Sequence, residues 1–241
     1  MTSRLAGETT MLDVYYWPTP NGCKVTILLH ELGVPYNLIP LNIGTGDQFK
    51  PEFAEISPNR RMPAIVDHAP LDGGEPIPMF ESGAIMMYLA EKHRRFWPQD
   101  PREKYEVVKW IMWQMGGLGP MCGQAHHFRQ YAAEKIPYAI ERYTNEVNRL
   151  YGVLDARLAD RQFLAGGYSI ADMACWPWVK PYKGQGQVLE NFPNLKRWFL
   201  EIGERPGARE GWRVGRDWLG GGPVVTEESK AILFGQKAVP G

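Results

Sequence analysis

The feature that most restricts the fold is a strand, a helix and a second strand packed into the first forty residues or so. MLDVYYW, residues 11–17, is rich in β-formers and is stopped by Pro18 and Pro20. From Asn21 the period changes. Val25, Leu28, Leu29 and Leu32 fall at i, i+3, i+4 and i+7, the spacing of one helix face. Gly33 supplies a C-cap with Pro35 just beyond. YNLIPLNI, residues 36–43, is then a second apolar run of strand length. A β-α-β unit of this kind makes its strands parallel and its connection right-handed.

The next fifty residues extend the same unit. QFKPEFAEIS (48–57) reads as a short helix, MPAIVDH (62–68) as a strand that begins with a proline, and IPMF (77–80) as one more short strand. ESGAIMMYLAEKH (81–93) reads as a helix with Ile85, Tyr88 and Leu89 on one side. The order β-α-β-α-β-β-α over 11–93 predicts a small α/β domain with a mixed sheet. FWPQDPREKY reads as a linker, and after Pro101 the signals are almost all helical. Long helices are expected over about 102–130 and 135–160. In the latter, Val147, Leu150, Tyr151, Leu154 and Leu158 keep one face apolar. Ser169 and Asp172, three apart, form a capping pair before ADMACWPW. The division expected is an α/β domain at 11–93, an all-helical domain at 102–215 and a Gly/Pro-rich tail at 216–241.

Composition removes several function classes. Lys plus Arg number 27 and Asp plus Glu 27, with five histidines, so no basic stripe for nucleic acid is expected. Cys23, Cys122 and Cys175 are odd in number, widely spaced and lack any Cys-x-x-Cys. That argues against a disulfide framework or zinc site and for a reducing cytoplasm. MTSRLAGETT has no apolar run of a signal peptide, and no stretch approaches a membrane span.

MPAIVD, FESGAIMMYL and SIADMACWPW, in this order and spacing, resemble the cytosolic glutathione transferases over about Met11 to Arg213. TPNG (19–22), GDQFKPEFAEISPNRRMPAIVDH, GGEPIPMFESGAI, GGLGPMCGQAHHF and IPYAIERY further resemble the nu class. These are bacterial enzymes related to disulfide-bond oxidoreductases. The resemblance implies a thioredoxin-like N-terminal domain, an all-α C-terminal domain, glutathione or its disulfide as co-substrate, and a homodimer.

It also implies roles for particular residues. Glutathione carries a thiol with an ordinary pKa near ~8.5, and the thiolate is the nucleophile, so the protein must stabilise negative sulfur. Thr19-Pro20-Asn21 stands at a helix start, where free N–H groups and the dipole favour an anion. The Thr19 hydroxyl and Asn21 amide are expected to add donors. Two hydrogen-bonding residues stand where a redox protein would show cysteines, because the reactive sulfur belongs to the ligand. Ser82 and the helix start behind it suit the γ-glutamyl carboxylate, and Glu81 suits the α-ammonium. By resemblance, Met62-Pro63 is a cis peptide whose Met62 backbone pairs with the tripeptide's cysteine. By the same resemblance Gln48 holds the glycyl end and Arg142 reaches a second glutathione.

Structural readings compete with several of these. Thr19-Pro20-Asn21 also suits an ordinary turn with an N-cap. Cys23 is either a thiol activated by a helix N-terminus or, preferably, a small side chain packed under the sheet; Cys175 reads as core. His126 and His127 point about 100° apart on a helix, so a pocket wall or dimer contact is expected rather than a metal. GGLGP (116–120) reads as a kink or close helix approach, and Trp110, Trp113, Trp176 and Trp178 as core. The expected activity is glutathione-dependent disulfide reduction. The alternatives are attack of the same thiolate on an electrophilic carbon, such as an aryl halide or β-aryl ether, and a non-catalytic binding module.

Overall fold

The computed structural model describes residues 11–222 and 225–237. The stretch MTSRLAGETT, read above for a leader, lies outside them. Strand β1 (Leu12–Tyr16) leads to helix α1 (Pro20–Leu32) and strand β2 (Asn37–Pro40). A 3-10 turn (Asp47–Phe49) and α2 (Pro51–Ile56) precede β3 (Ala64–Asp67), β4 (Ile77–Phe80) and α3 (Ser82–His93). The sheet order is β2-β1-β3-β4. β1 pairs parallel with β2 and antiparallel with β3, which pairs antiparallel with β4. The mixed sheet and the crossover thus follow the order read from the sequence.

Alternation along β1 builds the layers. Leu12, Val14 and Tyr16 are buried on the face that meets α1 and α3. Tyr15 points the other way, toward Phe53 of α2, with ring centroids 5.7 Å apart. α1 is buried on every side from Gly22 to Leu29, because α3, α7 (Ile170–Val179) and α9 (Pro206–Arg213) all pack on it. Such a helix loses its polar face, and Lys24 and Thr26 are enclosed with it. The Thr26 hydroxyl donates to Gly211 O at 2.7 Å, tying α1 to α9.

The helical half comprises α4 (Pro101–Trp113), α5 (Gly119–His126), α6 (Pro137–Arg157), α7, α8 (Pro193–Gly203) and α9. α4 and α5 form one path interrupted by a π segment over Gln114–Leu118, and a second π segment follows at His127–Tyr131. The first lies just before Pro120, which has no N–H to give to Gly116 and whose ring would crowd that carbonyl. Gly119 is required for a different reason: a Cβ there would stand 2.6 Å from Gln114 Nε2 and 3.4 Å from Trp178 Nε1. The close approach read from GGLGP is therefore present, and a π segment occupies the stretch read as a kink.

Asp172 completes the cap of α7. It accepts from the Ser169 N–H at 3.1 Å, from Leu164 N–H at 3.0 Å and from Trp198 Nε1–H at 2.8 Å. Burial still pushes its carboxyl up to about 6. The tail does not simply wrap the surface. A 3-10 turn (Arg216–Leu219) packs Trp218 over Tyr16 and Trp17, and α10 (Glu227–Phe234) lends Leu233 and Phe234 to the wall of a cleft. No described helix is long and apolar enough to cross a membrane.

Candidate functional site

A cleft of about 880 Å³ opens between the small domain and the helices. Thr19, Asn21, Gln48 and Met62 line it from the small domain. Thr19 is the N-cap of α1: its Oγ1 accepts from the Gly22 N–H at 3.2 Å, so the turn-and-cap reading holds. Among the described residues the Thr19 hydroxyl proton faces only Met62 Sδ, at 3.5 Å, a weak acceptor. That proton is available to a stronger one. Met62-Pro63 is a cis peptide.

Asn21 is held from the other domain. Trp178 Nε1–H donates to Asn21 Oδ1 at 2.9 Å. This fixes the amide with its two Nδ2–H donors turned away, and among the described residues they meet no protein acceptor. Trp178, read from sequence as core, instead lines the cleft and orients the amide. The correction has a clear cause: the glycines at 119 and 123 leave room on α5 for the Trp178 indole, which then bridges the domains.

Gln48 is buried, donates Nε2–H to Ile43 O at 3.2 Å and leaves Oε1 without a partner among the described residues. So placed, the amide offers an acceptor, which suits a peptide N–H better than a carboxylate. The cations Arg60 and Arg61 stand beside it on the same wall. Glu81, exposed at the start of α3, has φ 70° and ψ 111°, a strained conformation for a residue with a side chain. Ser82 is buried, and its Oγ accepts from Lys24 Nζ at 3.2 Å. Lys24 also donates to Gln114 Oε1 at 2.6 Å, and burial lowers its pKa to about 7. Sequence reasoning did not single out Lys24. The signal was a lysine set in a mostly apolar helix, with Val25, Ile27 and Leu28 after it.

Glu81, Ser82, Pro63 and Arg142 are not among the residues that line the cleft, and Arg142 lies on a different element from the rest. It is 55% exposed on α6, 3.7 Å from Glu146, and does not line the cleft of its own chain. Cys23 is buried among Tyr16 OH at 3.5 Å and Arg216 Nη2 at 3.7 Å. Burial pushes its thiol up despite the helix terminus and the nearby guanidinium. That is the packed side chain preferred from sequence, not an activated nucleophile. Cys122 and Cys175 are buried core residues. His126 and His127 both line the cleft, and burial lowers the pKa of each. Among the described residues no cluster of three metal-ligating groups occurs.

The cleft therefore offers neutral donors at Thr19 and Asn21 in a cationic surround, with a helix N-terminus behind them. An anionic sulfur fits that arrangement. Comparison with known proteins agrees in kind. Two family models match: "Glutathione S-transferase, N-terminal domain" over residues 11–91 and "Glutathione S-transferase, C-terminal domain" over 121–206. The disulfide-bond oxidoreductase YfcG of Escherichia coli is 53% identical over 197 residues, covering 81% of this chain and 92% of that one. A glutathione transferase from Pseudomonas putida, crystallised with one glutathione disulfide per subunit, superposes with TM-score 0.82 at 40% identity, covering 88% and 94%. One from Burkholderia graminis, with two glutathione molecules per subunit, gives 0.81 at 40% identity, covering 88% and 91%.

Proposed function

The chain belongs to the glutathione S-transferase family, and from that premise we propose that it is a glutathione-dependent thiol–disulfide oxidoreductase of the nu class. The observation that carries this reading is the Asn21 amide, pinned by Trp178 with its donors turned out beside a helix N-terminus. Residues 11–93 bind the tripeptide, and 102–215 form the opposite wall. Asn21 Nδ2–H, the Asn21 backbone N–H and the Thr19 hydroxyl together stabilise the glutathione thiolate. Met62, beside the cis bond, pairs with the cysteinyl backbone. Gln48 takes a peptide N–H near the glycyl end, with Arg60 and Arg61 for its carboxylate. Ser82, held by Lys24, and Glu81 take the γ-glutamyl end.

The thiolate attacks one sulfur of a substrate disulfide. A glutathionyl mixed disulfide forms, and the other sulfur leaves as a thiolate that takes a proton from water. A second glutathione thiolate attacks the mixed disulfide, releasing the second thiol and glutathione disulfide. Two glutathiones are oxidised and one disulfide is reduced, with no protein cysteine taking part. A two-fold pair is the proposed working form. β4 is an edge strand with Phe80 exposed, and Tyr105 and Met112, seven apart on α4, are exposed too. Arg142, outside its own cleft, reaches the partner's in this reading. The proposed compartment is the cytoplasm, where three buried free thiols persist.

Asn21→Ala tests the proposal. Removing a donor to a charged group costs about 1.5–3 kcal/mol, roughly 10- to 150-fold in turnover of 2-hydroxyethyl disulfide. Glutathione affinity is expected to fall much less. Wild-type turnover in that variant would remove Asn21 from the mechanism. Fast cleavage of a β-aryl ether by the wild type, with no disulfide reduction, would replace the reaction itself.

A further inference from the structure

The far wall of the cleft carries a second pattern that the tripeptide's own anchors do not use. Among the described residues lining the cleft there are five lysine or arginine side chains and no carboxylate. Arg60 and Arg61 lie near Gln48, whereas Lys180, Lys183 and Arg216 come from the helical half and the start of the tail. Lys180 and Arg216 form no ion pair with any described residue. Both rest instead on aromatic faces. Lys180 Nζ lies 4.8 Å from the Trp176 ring centroid and 5.5 Å from that of Trp212. The Arg216 guanidinium lies 4.2 Å from the Trp212 centroid. Phe199 stacks on Trp176 at 5.7 Å, whereas Trp212 meets Trp176 edge to face at 88°, so Phe199 and Trp212 form two sides of an aromatic corner.

Two cations held together without an anion repel each other. Cation–π contact offsets part of that cost, about 0.5–2 kcal/mol per contact, but does not neutralise either charge. Burial, with Arg216 as the second cause, lowers the pKa of Lys180. An arriving carboxylate would relieve both strains at once, and a planar apolar body would find Phe199 and Trp212 on the cleft wall beside it.

We propose that Lys180 and Arg216, set in the corner of Trp212 and Phe199, form an acceptor subsite selective for disulfides that bear a carboxylate on an aromatic ring. This rests on the disulfide-reductase reading above and adds to it the class of the second substrate. The carboxylate pairs with the two cations, the ring lies on the aromatic wall, and the disulfide is presented to the glutathione thiolate at Asn21. The reaction is the exchange already written, with the aryl thiolate as leaving group.

The experiment compares kcat/KM for dithiodibenzoate, its neutral diamide, 2-hydroxyethyl disulfide and the cationic disulfide cystamine, with glutathione and a glutathione reductase couple. Wild type should prefer the dianion over the diamide by roughly tenfold or more, as one charged hydrogen bond implies, and should use cystamine least. In Lys180→Met and Arg216→Gln the dianion-to-diamide ratio should fall toward one, while Lys180→Arg should keep most of it. Equal use of dianion and diamide by the wild type, or an unchanged ratio in folded Lys180→Met, overturns the subsite and leaves the reductase reading standing. Failure to reduce any of the four disulfides overturns both.

Discussion

Replacing Trp178 with phenylalanine isolates the contact that joins the two domains at the site. An aromatic ring stays, though smaller than the indole, and the N–H is lost with the outer ring's packing. Asn21 Oδ1 then loses its donor at 2.9 Å, and nothing else among the described residues fixes which end of the amide faces the cleft. A hydrogen bond of this kind contributes about 0.5–1.5 kcal/mol net. If that energy holds Nδ2 toward the thiolate, its loss raises the pKa of bound glutathione by roughly 0.4–1 unit, since one unit is about 1.4 kcal/mol. Turnover at neutral pH should drop by roughly two- to twelvefold for the same reason. Ultraviolet titration of the thiolate in the complex reads the first quantity, and kcat/KM for 2-hydroxyethyl disulfide the second. The Asn21→Ala background supplies the decisive comparison: there, Trp178→Phe should change neither value further. A full additional effect in that background, or an unmoved thiol pKa beside lowered turnover, would refute the positioning argument.

The other predictions concern stability. Lys24 is fully buried and titrates near 7 in the fold, well below its ordinary value, so the unfolded chain binds a proton that the native protein lacks. The Lys24 contribution to native stability then rises with pH from about 7 to about 10. Relative to Lys24→Met, wild type should gain up to about 1.4 kcal/mol per pH unit in urea denaturation; parallel curves would show that Lys24 stays charged in the fold. Gly211→Ala would place a Cβ 2.4 Å from Ile27 Cα and 2.6 Å from Ile27 N, forcing α9 off α1. Overpacking of this kind costs about 1–3 kcal/mol, a melting temperature lower by roughly 2–12 °C. Gly152→Ala, in α6 with nothing within 4 Å of the new Cβ, should not be lowered and serves as the control.

Local pattern alone set a good deal of this protein. The order of strands and helices was written in period changes: two-residue alternation in β1, the i, i+3, i+4 face of α1, and the Ser169–Asp172 cap. Thr19, Asn21 and the proline after Met62 were also visible, because a strand-to-helix turn and a proline-led strand are short-range features. What depended on residues far apart in the chain was not. Trp178 lies 157 positions from the amide it orients, and Lys24 lies 90 from Gln114. Nothing near Lys180 in sequence announces that it will meet Arg216 over a shared indole. Burial and pairing are properties of the packed whole, so a tryptophan read as core became a wall of the cleft. A lysine that would normally be solvated was enclosed with two neutral partners. Chain-local energetics chose the elements. Their docking, driven by apolar area that no single element can cover by itself, decided which polar atoms were left facing the cleft and therefore what it can hold.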